Sequence, residues 1–260
     1  MTAASLRVEK VCVHFGGVVA LDDVSFEARS AEVLGIIGPN GAGKTTLFNT
    51  ISGVQRPLSG RVSLGERELT GRAIHAIATL GVLRTFQTPM MFWGLTVRES
   101  VMVALSARAT IPVERTLFVS GLGLPARRRE DAALREEADA LLAGTPLEAL
   151  AGAKTETLSF GQERMLEIVR TLARRPQVLL LDEPLSGLNP AEIERVLTLV
   201  REVRERGVVV LFVEHDLHNL LTAVDRLVVL DHGRKIAEGA PAAVTRDPLV
   251  VDAYIGDEVA

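Results

Sequence analysis

Residues 38–45 read Gly38-Pro39-Asn40-Gly41-Ala42-Gly43-Lys44-Thr45, the spacing G-x-x-x-x-G-K-[ST]. This pattern suits one kind of chemistry. Triphosphate oxygens need many donors at short range, and glycines let the backbone curl so that successive N–H groups face one anion. A helix starting near Lys44 would direct its positive N-terminal end at the same charge. Lys44 is expected to reach the β- and γ-phosphates and Thr45 to ligate Mg2+, with Thr46 completing the ATP-binding stretch. With glycine at about 7% of residues, a chance match in a chain of this length is on the order of 1%.

The second chemical feature is Val178-Leu179-Leu180-Leu181-Asp182-Glu183-Pro184. An ionised Asp at the end of an apolar strand is costly unless it meets a cation or donors. Parallel sheets place ligands at those carboxyl ends. Asp182 is therefore expected to face Mg2+ through water, and Glu183 to act as the base that polarises an attacking water.

Both features need strands and helices to hold them. Val33–Ile37 reads as an apolar strand ending at Gly38, and Lys44–Ser52 as a helix closed by Gly53. Val178–Leu181 and Val208–Val213 are short non-alternating apolar runs, which suit strands buried on both faces. Between them Asn189 is a plausible N-cap with Pro190 at the first helical position. Ile193, Val196, Leu197, Val200 and Val203 follow at helical spacing, and Gly207 stops the helix. Strand–helix–strand of this kind predicts a parallel sheet and an α/β fold. Earlier in the chain, Leu6–Val13 and Val24–Ala28 read as strands separated by a turn at Leu21-Asp22-Asp23. From Thr96 to about Ala151 the pattern is mostly helical, with Leu134, Ala138, Leu141 and Leu142 on one side of a charged helix. Leu117–Pro125 reads as a loop inside that insertion, and the tail forms a small hairpin around Asp231-His232-Gly233.

Composition sets outer bounds. The 260 residues are 47% hydrophobic but only 4% aromatic, so aliphatic side chains must fill the core. The net charge of −4 argues against bulk electrostatic capture of nucleic acid. The single cysteine, Cys12, excludes an internal disulfide and an all-cysteine metal site, so a reduced intracellular location is the default. Met1–Lys10 contains no apolar run and does not read as a secretory signal. The longest strongly apolar run, Val208–Val213, is far short of the ~20 residues a spanning helix needs. Any work at a membrane would need spanning helices from other chains.

Leu158-Ser159-Phe160-Gly161-Gln162 precedes the acidic strand and opens a helix whose apolar side carries Met165, Ile168, Val169 and Leu172. Ser159 and Gln162 have capping-box spacing. The run resembles the Leu-Ser-Gly-Gly-Gln signature of ABC transporter ATPases, with Phe160 in place of the first glycine. The order of phosphate loop, Gln87, signature, Asp182-Glu183 and His215 is the order of that family and spans essentially the whole chain.

The resemblance implies a P-loop NTPase (RecA-like) parallel-sheet core with an N-terminal antiparallel β subdomain and an inserted α-helical subdomain. Core and β subdomain would cover about 1–88 and 158–260, and the helical subdomain about 89–157. It implies a head-to-tail dimer in which Ser159, Phe160, Gly161 and Gln162 address ATP held by the other chain. Gln87 would be the glutamine that senses Mg2+ and the attacking water, and His215 the switch histidine at the γ-phosphate. Phe15 would stack on adenine, the alternative being a core residue at a strand end. Ser186-Gly187-Leu188-Asn189 stands in the D-loop position, with Asn189 where Asp is usual.

Several spellings resemble the ATP-binding subunits of high-affinity branched-chain amino-acid importers. They are Phe15-Gly16-Gly17-Val18-Val19-Ala20, Arg84-Thr85-Phe86-Gln87, Leu158-Ser159-Phe160-Gly161-Gln162-Glu163-Arg164, Gly187-Leu188-Asn189-Pro190, Glu214-His215-Asp216 and Asp252-Ala253-Tyr254-Ile255-Gly256. Importers of urea and short-chain amides share much of this, and Gln87-Thr88-Pro89 is similar to the urea branch. The resemblance implies a second ATPase chain (hetero- or homodimer), two membrane permease subunits and, indirectly, a periplasmic solute-binding protein. The location would be the cytoplasmic face of the bacterial inner membrane, with no nucleic-acid partner. Met90, Met91, Phe92 and Trp93 would form either core of the helical lobe or a groove for a permease helix. Arg127-Arg128-Arg129 would form a solvated face or touch anionic lipid headgroups. A non-transport ABC ATPase acting on nucleic acid and a catalytically dead regulatory subunit are the competing functions. The intact Lys44, Glu183 and His215 weigh against the second.

Overall fold

The computed structural model describes residues 5–85, 92–107, 125–214 and 217–256. Phe86–Met91 (with Gln87, Met90 and Met91), residues 117–124 of the loop expected at Leu117–Pro125, and His215-Asp216 lie outside the described residues, as do the side chains of Arg127-Arg128-Arg129; Pro125 itself begins a helix. The chain divides into two compact units. One is Met1–Gln87 with Pro176–Ser186 and Pro190–Ala260, and the other is Thr88–Arg175 with Gly187–Asn189.

The first unit holds two sheets. Among the described residues ten strands run in chain order as β1 (Leu6–Phe15), β2 (Val18–Ala28), β3 (Val33–Ile37), β4 (Ser59–Leu64), β5 (Arg67–Glu68), β6 (Val82–Arg84), β7 (Val178–Asp182), β8 (Val209–Val213), β9 (Arg226–Asp231) and β10 (Arg234–Gly239). β2-β1-β4-β5 form an antiparallel sheet. β10-β9-β3-β8-β7-β6 form the second, in which β9, β3, β8, β7 and β6 are mutually parallel and β10 closes one edge as a hairpin. Every residue of β3, β7 and β8 is buried, as expected for central parallel strands covered on both faces. Helices α1 (Lys44–Ile51) and α2 (Ile74–Thr79) lie between the early strands. One hydrophobic cluster joins both sheets, drawing Leu6, Val24 and Phe26 from one and Ile36, Leu180 and Leu211 from the other. The architecture is that of an α/β P-loop NTPase with an antiparallel β subdomain.

One expected turn is a strand. Leu21-Asp22-Asp23 lies inside β2, where Val24 pairs with Val11 and Leu21 with Val13. Three steps on β2 thus match two on β1, which is a bulge. Asp23 takes a positive φ of 54° there and donates its N–H to Cys12 Sγ at 3.3 Å. The extra residue lets both Leu21 and Val24 reach the core. Two adjacent acids look like a turn in sequence; the bulge absorbs them without ending the strand.

The second unit is helical. Among the described residues its helices are α3 (Val97–Ser106), α4 (Pro125–Leu142) and α5 (Phe160–Ala173). Thr96 and Glu99 form a reciprocal capping box at the start of α3, and those hydrogen bonds hold the Glu99 carboxyl below its ordinary pKa. Val97, Val101 and Leu105 of α3 and Ala138 and Leu142 of α4 are buried, and Arg98 pairs with Asp139 at 2.5 Å. The later helices of the first unit are α6 (Pro190–Glu205), α7 (Leu217–Leu221), α8 (Pro241–Val244) and α9 (Pro248–Gly256).

Candidate functional site: a phosphate loop and an acidic strand end

The loop 38–43 leaves the buried end of β3 and feeds directly into α1. Gly43 is the N-cap in left-handed backbone, φ 103°, and a Cβ there would stand 2.6 Å from the Ala20 carbonyl oxygen. A Cβ on Gly38 would collide with the Leu230 carbonyl, whereas one on Gly41 would meet open space. Two of the three glycines are thus demanded by close backbone approach, and Gly41 by its φ of 78° alone. Neighbouring turns brace the loop. Gly233 donates its N–H to Ala42 at 3.1 Å, and Asp22 donates to Gly233 at 2.8 Å. The Lys44 ammonium, only 7% exposed, donates to the carbonyls of Gly38 at 2.6 Å and Pro39 at 2.8 Å. It lies along the concave backbone, held by the loop's own oxygens. Thr45 and Asn40 are exposed, Pro39 and Thr46 half-buried, and Ala42 buried.

At the end of β7, Asp182 is 1% exposed. Its Oδ2 accepts from Arg84 Nη2 at 2.6 Å, while Oδ1 is buried with no hydrogen-bond partner. A buried carboxylate oxygen without a donor needs an explanation. A hydrated divalent cation is a fitting one, because oxygen donors are what Mg2+ takes. Among the described residues no group of three or more His, Cys, Asp or Glu could hold a metal. A Mg2+ here would therefore draw on Asp182, the Thr45 hydroxyl, water and the phosphates themselves.

Glu183 follows Asp182 with a φ of 49°, uncommon for a non-glycine residue and frequent at functional sites. Its N–H donates to Val213 at 3.0 Å, so the residue is fixed against the end of β8. Glu214, buried just beyond that strand, accepts the N–H of Leu185 at 2.6 Å. Thr85, also buried, extends β6 by donating to the Leu180 carbonyl at 3.0 Å. The buried Thr85 after β6 and the buried Glu214 after β8 thus lie on strands to either side of β7, which carries the Asp182-Glu183 step.

Phe15 ends β1 and is 49% exposed, which removes the core alternative and leaves its ring available for stacking. In the helical unit, Ser159 caps α5 in a capping box. Its Oγ accepts from Gln162 N at 3.3 Å, and Gln162 Oε1 accepts from Ser159 N at 2.9 Å. Ser159 and Phe160 are exposed and Gly161 buried. The Phe160 ring lies under the Arg164 guanidinium, 5.3 Å from its centroid, and a Cβ on Gly187 would stand 3.0 Å from that ring. The phenylalanine that replaces a signature glycine therefore packs where a second glycine leaves room. Trp93 is 80% exposed and Phe92 lies 4.1 Å beneath Arg170, so this end of the 90–93 run is surface rather than lobe core.

Four further residues support the site, each present in sequence only as part of a longer spelling with no role of its own. Arg84 and Glu214 are the first residues of Arg84-Thr85-Phe86-Gln87 and Glu214-His215-Asp216. Gly233 braces the loop from a distant hairpin. Tyr254, on α9, is pushed up to about 12 by burial, and the Gly38 backbone hydrogen-bonds its oxygen.

Parallel strands carrying a lysine-bearing glycine loop on one and, at the end of another, a buried Asp182 followed by a half-buried Glu183 define a P-loop nucleoside triphosphatase. The order of its motifs narrows the class further. Residues 21–186 match the ABC transporter family, and residues 234–260 match the family described as Branched-chain amino acid ATP-binding cassette transporter. The chain belongs to the ABC transporter family and is an ATP-binding, ATP-hydrolysing subunit of it. It is 37% identical to the high-affinity branched-chain amino acid transport ATP-binding protein BraF of Pseudomonas aeruginosa, covering 99% of this chain and 100% of the relative. It is 36% identical to LivG of Salmonella typhimurium, a protein of the same description, at the same coverage. Among solved structures, an ATP-binding cassette of an ABC transporter in its ADP conformation superposes with a TM-score of 0.81 at 33% identity, covering 98% of this chain and 100% of that one. No helix among the described residues is long and apolar enough to cross a membrane.

Proposed function

We propose that this chain drives the import of branched-chain amino acids, as one of two ATPase chains on the cytoplasmic face of the bacterial inner membrane. Two permease subunits and a periplasmic solute-binding protein complete the assembly. The observation that carries the cargo is the match over residues 234–260, a segment separate from the ABC match and built from β10, α8 and α9. Near full-length similarity to BraF and LivG supports the same cargo.

The residues divide the work as follows. The glycine loop wraps the triphosphate with its N–H groups, and Lys44 exchanges the Gly38 and Pro39 carbonyls for phosphate oxygens. Phe15 stacks on adenine. Thr45, Asp182 and Gln87 would hold Mg2+, which would neutralise charge on the phosphates. Glu183 orients a water in line with the γ-phosphate and takes its proton as the new P–O bond forms and ADP departs. His215 contacts the γ-phosphate. Ser159, Gly161 and Gln162 of one chain complete the site on the other, and Phe160 shapes that surface. Closure of the two chains on ATP, and reopening after hydrolysis, moves the permease through the Gln87 region.

The test is labelled leucine uptake in native cells carrying a chromosomal Lys44→Ala allele. Uptake should collapse while the protein level holds. Undiminished leucine uptake with lost urea or amide uptake would move the cargo to that branch.

A further inference from the structure

We propose that Arg84 is the positioning residue of the magnesium site, fixing the Asp182 carboxylate to the helix of the phosphate loop; this rests on the assignment of Asp182 as the Mg2+ partner. Arg84 is the last residue of β6 and lies beside Leu180 of β7. One arm of its guanidinium, Nη2, holds Asp182 Oδ2 at 2.6 Å. The other, Nη1, donates to Asn49 Oδ1 at 2.6 Å. The group also lies over the Phe48 ring, 5.7 Å from its centroid. Phe48 and Asn49 stand on α1, four residues beyond Lys44 and Thr45 respectively, so they share the faces of those residues one turn further on. A single planar cation thus ties the acidic strand to the helix that carries Thr45, another expected Mg2+ ligand.

The geometry does more than neutralise a charge. Arg84 is 10% exposed at its side chain and Asp182 2%, so neither finds enough water to replace the other. Engaging Oδ2 fixes the rotation of the carboxylate and leaves Oδ1 as the one oxygen with no donor. An ion pair that served stability alone gains nothing from leaving Oδ1 bare. Presenting that oxygen to an incoming cation, or to a water in its shell, gives it a use. Outer-shell groups of this kind orient the ligand that meets the metal.

The experiment is binding of a fluorescent ATP analogue to the purified chain, with free Mg2+ titrated from EDTA-buffered solutions. Arg84→Gln should raise the Mg2+ concentration at half-maximal effect by roughly 10-fold, with affinity in EDTA unchanged. Asn49→Ala, which removes one arm and keeps the charge pair, should move it the same way by less. A folded Arg84→Gln protein with an unchanged or lowered Mg2+ midpoint would overturn the proposal. Should Arg84→Gln fail to fold, Asn49→Ala decides, and an unmoved midpoint there overturns it. Asp182→Asn separates the two layers: an unmoved midpoint in that variant overturns the Mg2+ role of Asp182 itself, whereas a shift there without one in Arg84→Gln removes only Arg84.

Discussion

The Glu214 carboxylate accepts the backbone N–H of Leu185 at 2.6 Å, two residues past Glu183. The bond joins the end of β8 to the turn after β7. It therefore links the segment that enters His215 to the segment that carries the expected base. Glu214 is buried, so its removal leaves a buried donor unmet. We predict that Glu214→Ala lowers stability by about 1.5–3 kcal/mol and slows ATP turnover, while Glu214→Gln, which still accepts, costs less on both counts. Urea unfolding and steady-state phosphate release on the same preparations check this; equal losses in the two variants would contradict a specific acceptor role.

The glycines of the phosphate loop should not be equivalent. Gly43→Ala places a methyl against the Ala20 carbonyl in left-handed backbone, whereas Gly41→Ala meets no neighbour. The second change should cost about 1–2 kcal/mol from backbone conformation and preserve ATP binding. The first should displace the loop and abolish binding. Calorimetric titration with ATP compares them, and similar affinities would refute the steric account.

Phe15 gives a cleaner separation of binding from folding. Because its ring is half-exposed, Phe15→Ala should leave unfolding within about 0.5 kcal/mol of the parent. Loss of a stacked adenine should weaken ATP by about 0.5–1.5 kcal/mol, and Phe15→Tyr should restore it. An ATP affinity identical in all three proteins would remove the stack.

Tyr254 is the only tyrosine, so tyrosinate absorbance reports it alone. Its pKa is pushed up from 10.0 to about 12 by burial. The folded chain therefore holds its proton longer than the unfolded chain does. Between these two values the native state binds more protons, so stability falls as pH rises through that window and is unaffected by this group below it. Titration should show a midpoint near 12 in buffer and near 10 in denaturant. Coincident midpoints would show that α9 does not bury the ring.

The chemistry most legible in sequence was contiguous. The loop 38–45 and the run 178–184 each carry their own spacing, and both lie where buried parallel strands end. The capping box at Ser159 was legible for the same reason, because its partners are three residues apart. Contacts across the fold left no such trace. Arg84 and Asp182 are 98 residues apart and Glu214 and Leu185 are 29 apart, and only the parallel order β8-β7-β6 brings them together. The misread turn at Leu21-Asp22-Asp23 has another origin. Acidic pairs mark turns by propensity, and a bulge that buries Leu21 overrode that preference.

Glu183→Gln tests most directly whether ATP hydrolysis is carried out at the end of β7. We predict that the variant binds ATP as the parent does, because the phosphate loop is untouched, while phosphate release falls by at least roughly 100-fold. Turnover equal to that of the parent would contradict the account and remove Glu183 from its role.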